Sequence, residues 1–169
     1  KAIDKVNSEN LSYQIVDVSN FENITKSLNE IESKHGKIDI FINNAGIAGH
    51  VVVGDHVTIG ALTTIHQFCK IGDYSFLGMN TSITMDVAAF IKVASDPARV
   101  IGLNTIGMTR NNISDDSITI IKKAYKLIYR KGYKLEDAIK KIENLENPIR
   151  PELQNFIDSI KTSERGLQR

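Results

Sequence analysis

From Ile47 onward an aliphatic side chain recurs at every sixth position: Ile47, Val53, Ile59, Ile65, Ile71, Leu77 and Ile83. A period of six is neither helical nor the simple alternation of a free strand. It suits a parallel β-helix in which each coil is a triangle of three six-residue sides. The aliphatic residue then points inward and stacks on its equivalents in the coils above and below. Glycine follows the inward position at Gly54, Gly60, Gly72 and Gly78. The pattern expects these glycines to relieve the corners, where a positive φ is cheap only without a Cβ. Seven such hexapeptides make little more than two coils.

The flanks have other rhythms. Tyr13-Gln14-Ile15-Val16-Asp17-Val18 is a short β-rich run. Ser19 or Asn20 can cap a helix whose apolar face is Phe21, Ile24, Leu28 and Ile31, with Gly36 as its stop. Ile38-Asp39-Ile40-Phe41-Ile42 is a second strand, so this region predicts a βαβ-like unit with parallel pairing. After Phe90 the six-residue repeat is expected to stop. Ser114 or Asp115 caps a helix with Ile118, Ile121, Tyr125, Ile128 and Tyr129 on one face, and Gly132 ends it. A second helix over about 135–145 turns Ala138, Ile139, Ile142 and Leu145 inward. Pro151 suits the first turn of a third helix, which uses Leu153, Phe156, Ile157 and Ile160.

Composition adds bounds rather than direction. The 169 residues are 41% hydrophobic and 24% charged, with net charge +1. Such a chain can bury a core, and nothing general points to nucleic acid or a membrane. The charge is unevenly spread. Residues 101–169 carry thirteen basic and nine acidic side chains, whereas residues 1–49 carry five lysines and seven acids. The basic tail reads either as a solvated helical face or as a surface that steers an acidic partner. A single cysteine, Cys69, excludes an internal disulfide and fits a reducing cytoplasm. No signal peptide or run of membrane-spanning length is present. A chain that begins with Lys rather than Met reads as a fragment or a processed product.

Longer strings carry resemblances. Ala48-Gly49-His50, Thr64-Ile65-His66-Gln67-Phe68, Gly102-Leu103-Asn104, Ala124-Tyr125-Lys126-Leu127-Ile128-Tyr129-Arg130 and Arg165-Gly166-Leu167 occur in order over about 120 residues. In that order and spacing they resemble the C-terminal part of UDP-N-acetylglucosamine O-acyltransferases, which act in lipid A synthesis. Residues 1–46 resemble short-chain dehydrogenase/reductases instead, through Asp17-Val18-Ser19, His35-Gly36-Lys37-Ile38-Asp39 and Asn43-Asn44-Ala45-Gly46. The Gly-rich phosphate loop and the Tyr-x-x-x-Lys pair of that second family are missing. The two likenesses meet at Asn43-Asn44-Ala45, a string both families share, which suggests a chimera. The fold expected is mixed: a truncated left-handed parallel β-helix followed by a C-terminal α-helical domain, with a short N-terminal α/β segment in front. Its domains would be 1–46, 47–90 and 91–169.

The acyltransferase resemblance implies a site. In that family a His general base takes the proton from the sugar 3-hydroxyl, and the oxygen attacks the acyl thioester of acyl carrier protein. That base lies one coil before the stretch matching His50, a coil replaced here by dehydrogenase-like sequence, so the general base is expected to be absent. His35 has neighbours of the other family and is no substitute. Gly49 would offer the oxyanion-hole N–H, His50 would contact the sugar, and His66 and Gln67 would line the cleft. Asn104 and Arg110 match positions near the nucleotide phosphates, a role suited to the planar guanidinium fork. Two departures stand out: Ile106 replaces a common Glu, and Asn111 a common second Arg. Met79 matches the position that limits acyl-chain length; the alternative is core filler. His56 keeps the ordinary reading of a surface or structural imidazole.

The implied function is transfer of a (hydroxy)acyl group from acyl carrier protein to UDP-N-acetylglucosamine, with no cofactor and no metal. Implied partners are those two substrates and further copies of the chain in a homotrimer. Lys122, Lys123, Lys126, Arg130 and Lys131 would offer an acidic carrier protein a docking face, or simply be solvated. The rivals are a 3-oxoacyl carrier-protein reductase-like dehydrogenase and a non-catalytic remnant that binds carrier protein. Because the Gly-rich loop is missing, NAD(P)H is expected not to bind. Saturable enhancement of nicotinamide fluorescence at micromolar protein would contradict this.

Overall fold

The computed structural model describes residues 21–35, 41–42 and 46–169. The chain divides into two compact units, Lys1–Ile38 and Asp39–Arg169. In the first, helix α1 spans Phe21–His35, where the helical spacing predicts it. The strand expected at 13–18 lies outside the described residues, as do positions 38–40 of the next one.

The second unit opens with eight short strands: β1 (Phe41–Ile42), β2 (Gly46–Ile47), β3 (Val52–Val53), β4 (Thr58–Ile59), β5 (Thr64–Ile65), β6 (Lys70–Ile71), β7 (Phe76–Leu77) and β8 (Ser82–Ile83). β1 to β5 each pair in parallel with the strand three further along, giving the ladders β1-β4-β7, β2-β5-β8 and β3-β6. In the register, Ile47 lies beside Ile65 and Ile65 beside Ile83, while Val53 lies beside Ile71 and Ile59 beside Leu77. Three hexapeptides therefore close one coil, as the six-residue period predicts. Ile59, Ile65, Ile71, Leu77 and Ile83 are buried to 3% exposure or less, and Ile47 and Val53 in the first coil are half-buried. Burying each such side chain stabilises by roughly 1.5–3 kcal/mol.

Three sequence expectations need correction. First, the end of the strand expected in a βαβ unit, Phe41–Ile42, has another partner among the described residues. It pairs with Thr58–Ile59 and so joins a β-helix ladder, one residue out of step with the eighteen-residue register. An Ile-containing strand end satisfies either pattern, so local sequence could not decide. Second, Gly54, Gly60, Gly72 and Gly78 are not the positive-φ residues. Those are His50, His56, Leu62, Phe68, Tyr74 and Asn80, with φ between 53° and 65°, each three positions after an inward residue. The glycines answer a different constraint, the close approach of the next coil. A Cβ on Gly60 would lie 2.4 Å from Met79 N, and one on Gly72 2.4 Å from Ala89 N.

Third, the ladder does not stop at Phe90. Val87 bridges Ile71, and β9 (Ile91–Ala94) pairs in parallel with β7, so a shortened coil follows. Strand β10 (Arg99–Leu103) then turns back antiparallel on β9. Phe90, Ile91 and Val93 are fully buried there. The two-residue contraction relative to the eighteen-residue coil takes this segment off the six-residue frame, which hid it from the periodicity.

Helix α2 (Thr105–Arg110) is too short for its period to be read. Helices α3 (Asp115–Tyr129), α4 (Leu135–Glu143) and α5 (Pro151–Lys161) form where the apolar spacing expects them. Ser114 Oγ caps α3 by accepting from Ser117 N, and Pro151 occupies the first turn of α5. Ile118, Ile121, Tyr125, Ile128, Ala138, Ile142, Leu153, Phe156, Ile157 and Ile160 are buried, and α3 packs on both α4 and α5.

One buried carboxylate ties the end of the chain to the β-helix. Asp86, 1% exposed, accepts from Lys70 N on one oxygen (2.8 Å). Its other oxygen accepts from Ser163 Oγ (2.9 Å), Glu164 N (2.8 Å) and Arg165 N (3.0 Å). Asp86 N also donates to Gly166 O, and Gln168 N to Asp86 O. Burial alone would raise the Asp86 pKa, but these four donors outweigh it and hold the carboxyl below the ordinary aspartate value.

Two stability predictions follow from these contacts. Gly60→Ala should cost about 1–3 kcal/mol in urea denaturation, because the displaced atoms are backbone. Gly49→Ala, whose Cβ would meet nothing within 4 Å, should leave the midpoint nearly unchanged. The lowered Asp86 pKa contributes stability that is fully present above the unfolded value of about 3.9 and is lost as pH falls through the folded value. Asp86→Asn should therefore lower stability at pH 7 and flatten its acid dependence. An unchanged slope below about pH 4 would assign that dependence to other carboxylates.

Candidate functional site

The β-helix presents three corners, and adjacent coils align on them. At the first, Ala48 N donates to Ile65 O (3.1 Å) and Phe68 N to Gly49 O (3.3 Å), so residues 48–50 sit against residues 66–68. The left-handed conformation of His50 (φ 61°) projects its ring outward, where it stacks on Phe68 at 5.0 Å between centroids and 26° between planes. His66 N is held by Ile83 O (2.8 Å), and His66 Nδ1 lies 3.1 Å from Gln67 O. A carbonyl only accepts, so this contact needs the proton on Nδ1 and leaves Nε2 facing outward from that bond. Among the described residues, no backbone carbonyl accepts from Gly49 N–H. Gly49, His50, His66, Gln67 and Phe68 are all exposed. This corner thus gathers a free backbone donor, two imidazoles and a carboxamide.

The other expected residues lie elsewhere. At the second corner the rings of His56, Tyr74 and Phe90 form a column, at 4.7 Å and 5.3 Å between centroids. Asn104, 6% exposed, is fastened beside it. Its Nδ2 donates to Tyr74 O (2.8 Å), its Oδ1 accepts from Gly107 N (3.1 Å) to cap α2, and its backbone N donates to Phe90 O. Both ends of this carboxamide are engaged inside the protein. Arg110 is exposed in the last turn of α2, and Asn111 Nδ2 closes that helix on Gly107 O (2.8 Å).

Met79 belongs to the third corner, where Asn80 N donates to Ala61 O (2.9 Å). It is 70% exposed, which excludes core filler, and Leu62 on the same corner is 59% exposed. The structure therefore brings together Gly49, His50, His66 and Gln67, and leaves Asn104, Arg110 and Met79 apart from them within one chain. Sequence reasoning gave Phe68 no role. The signal was available, because Phe68 lies one eighteen-residue coil after His50. Among the described residues no cluster of three or more His, Cys, Asp or Glu could hold a metal. No described helix is long and apolar enough to cross a membrane.

Comparison with known proteins agrees with this layout. Residues 50–84 match the family model of the bacterial transferase hexapeptide (six repeats). Residues 86–168 match that of domain 2 of UDP-N-acetylglucosamine O-acyltransferase. Among curated relatives, the acyl-[acyl-carrier-protein]–UDP-N-acetylglucosamine O-acyltransferase of Pseudomonas putida (strain W619) is 40% identical over 138 residues, covering 82% of this chain and 53% of that relative. The chain thus spans about half the length of the curated relatives it matches. Among solved structures, the UDP-N-acetylglucosamine O-acyltransferase of Moraxella catarrhalis RH4 aligns with TM-score 0.72 at 40% identity, over 78% of this chain and 53% of that one. The UDP-N-acetylglucosamine acyltransferase of Bacteroides fragilis 9343 aligns with TM-score 0.74 at 32% identity, over 78% and 51%. These neighbours and the hexapeptide model indicate that the β-helix is left-handed. With residues 50–84 and 86–168 matched in this order, the chain resembles the C-terminal part of the UDP-N-acetylglucosamine O-acyltransferases.

Proposed function

We propose that residues 47–169 are the acceptor-binding part of an acyltransferase. In this reading a (hydroxy)acyl group passes from acyl carrier protein to the glucosamine 3-position of UDP-N-acetylglucosamine, the first step of lipid A synthesis. The observation that supports it is the first corner, where Gly49 and His50 lie directly against His66, Gln67 and Phe68. In the reaction a C–O bond forms between the sugar oxygen and the acyl carbon. The thioester C–S bond breaks, and the carrier thiol leaves with the proton the sugar hydroxyl gives up. Gly49 N–H would donate to the oxyanion that develops on the acyl carbonyl. His50 would contact the sugar, and His66 and Gln67 would line its cleft. Arg110 would pair with nucleotide phosphate. Asn104 would act by fixing α2, on which Arg110 stands, rather than by free contact.

Met79 would close the acyl groove and select shorter chains. Its corner differs from that of His50, which accords with a homotrimer in which a neighbouring copy completes the site. Lys122, Lys123, Lys126, Arg130 and Lys131 are exposed on and just after α3, a face suited to an acidic carrier protein. The free, buried Cys69 accords with a cytoplasmic location. The dehydrogenase-like origin of 1–46 belongs to the same proposal, with the β-helix taken from Phe41 through Ala94 in place of the expected 47–90.

The general base is the weak point of this chain, because the coil preceding His50 has no histidine in the family's place. Acyl transfer is therefore expected to be weak or absent. Loss of general-base assistance alone removes roughly 10²–10⁴-fold of rate. A radiolabelled acyl-transfer assay would compare this chain with one carrying a family-type coil before Gly49. Activity only in the second, with a short-chain preference that Met79→Gly relaxes, supports the reading. Equal turnover by both would mean that the base lies elsewhere. If both are inactive but carrier protein is retained by the α3 lysines, the chain is a binding remnant.

A further inference from the structure

Away from that corner, α3, β10 and Arg169 enclose a cavity of about 220 Å³. Its lining includes Tyr125, Tyr129, Arg130 and Arg169, with Val100 and Ile128 as apolar wall. Three features of this lining agree. Arg130 donates one hydrogen bond to Tyr125 Oη (3.0 Å) and sits 5.6 Å from the Tyr125 ring centre, which leaves most of its donors unused. Among the described residues, neither Arg130 nor Arg169 is in an ion pair with a carboxylate. The Tyr129 hydroxyl is buried and has no hydrogen-bond partner. Burial pushes its pKa above the ordinary phenol value, while the nearby Arg169 charge pulls the other way, so at neutral pH it remains an O–H donor.

A buried donor without an acceptor costs folding stability. Two guanidinium groups beside it add positive charge and forked N–H donors that no side-chain carboxylate receives among the described residues. We infer that this cavity is an anion site for a small phosphate monoester, with Arg130 and Arg169 pairing with the phosphate oxygens and the Tyr129 hydroxyl donating to one of them. The Tyr125–Tyr129 pair, stacked at 5.1 Å, together with Val100 and Ile128 would cover the organic part. A phosphate monoester offers three terminal oxygens to two guanidinium forks and a hydroxyl, whereas a carboxylate offers only two. None of Gly49, His50, His66 and Gln67 lines this cavity, and Arg130 is the one residue it shares with the basic face offered to carrier protein, so the inference does not rest on the acyl-transfer corner.

The test is thermal denaturation of the full chain titrated with inorganic phosphate, glycerol 3-phosphate or acetate at constant ionic strength, since a ligand that binds only the folded state raises Tm saturably. Both phosphates should give a saturable rise, with glycerol 3-phosphate acting at lower concentration, and acetate should give little. Arg130→Gln and Arg169→Gln should each weaken the apparent affinity by roughly tenfold or more. Tyr129→Phe should raise Tm without ligand, by removing an unsatisfied group, yet reduce the phosphate effect. His50→Ala should leave the phosphate response intact. No saturable rise in the parent chain, or a rise unchanged in Arg130→Gln, Arg169→Gln and Tyr129→Phe, would overturn the inference.

Discussion

The structure depends on backbone hydrogen bonds that run from each coil to the next. Gly46, Thr58 and Thr64 donate to Thr63, Ser75 and Thr81, each partner lying one residue short of a full coil further on. Strands of two residues are far too short to stand alone, and they persist because every one is braced by a coil above or below. This ladder requires two things of the sequence. An aliphatic side chain must fill the same interior site in each coil, as Ile47, Ile65 and Ile83 do along one side. A Cβ must be missing where one turn crowds the next, as at Gly60 against Met79 and Gly72 against Ala89. The candidate corner inherits its geometry from this stacking. His50 meets Phe68 because their coils are in register, not because anything local holds the imidazole.

Such a stack needs a terminus, and the C-terminal segment supplies one. The contracted coil buries Phe90, Ile91 and Val93, β10 folds back on it, and α5 is joined to it through Asn155 Nδ2 on Asp73 Oδ2 and Ser159 Oγ under Ala89 N. Asp86 then fastens the last residues from inside. A charge at that burial is tolerated because four donors converge on it, and removing the carboxylate would orphan all of them. Lys70 adds a second tie through Thr162 O and Glu164.

The parts of this architecture visible in the sequence are those with an undisturbed period. Ile59 through Ile83 announce the coils, and Leu153, Phe156, Ile157 and Ile160 announce α5, because one repeat governs each segment. What escaped were places where two constraints share a residue or the frame shifts. Phe41–Ile42 reads equally well as the end of a βαβ strand or as the side of a coil, and only its partner, Thr58–Ile59, decides. Strands β9 and β10 fall after the two-residue contraction. Asp86 looks like any loop aspartate, since its donors come from positions 70 and 163–165. The glycines were located correctly and explained wrongly, for distance to a neighbouring coil cannot be read from a local string. At the candidate corner, the string Thr64–Phe68 located His66 and Gln67 but not the face of His50 that Phe68 occupies.

The left-handed corner residues have a consequence of their own. His50, His56, Leu62, Phe68, Tyr74 and Asn80 share one backbone state, while their side chains range from aromatic rings to an alkyl group and an amide. Each pays about 1–2 kcal/mol for that conformation, and stacked rings such as His56 on Tyr74 recover part of it, about 0.5–1.5 kcal/mol per pair. Since the coil's interior is filled from other positions, the exposed corner residues His50, Leu62, Phe68 and Asn80 are nearly free of folding duty, whereas Tyr74 packs against the core. At those exposed corners the same scaffold can therefore exchange an imidazole for a phenyl, an amide or an alkyl group without repacking its interior. Recognition can diverge on the outside while the interior stays as it was.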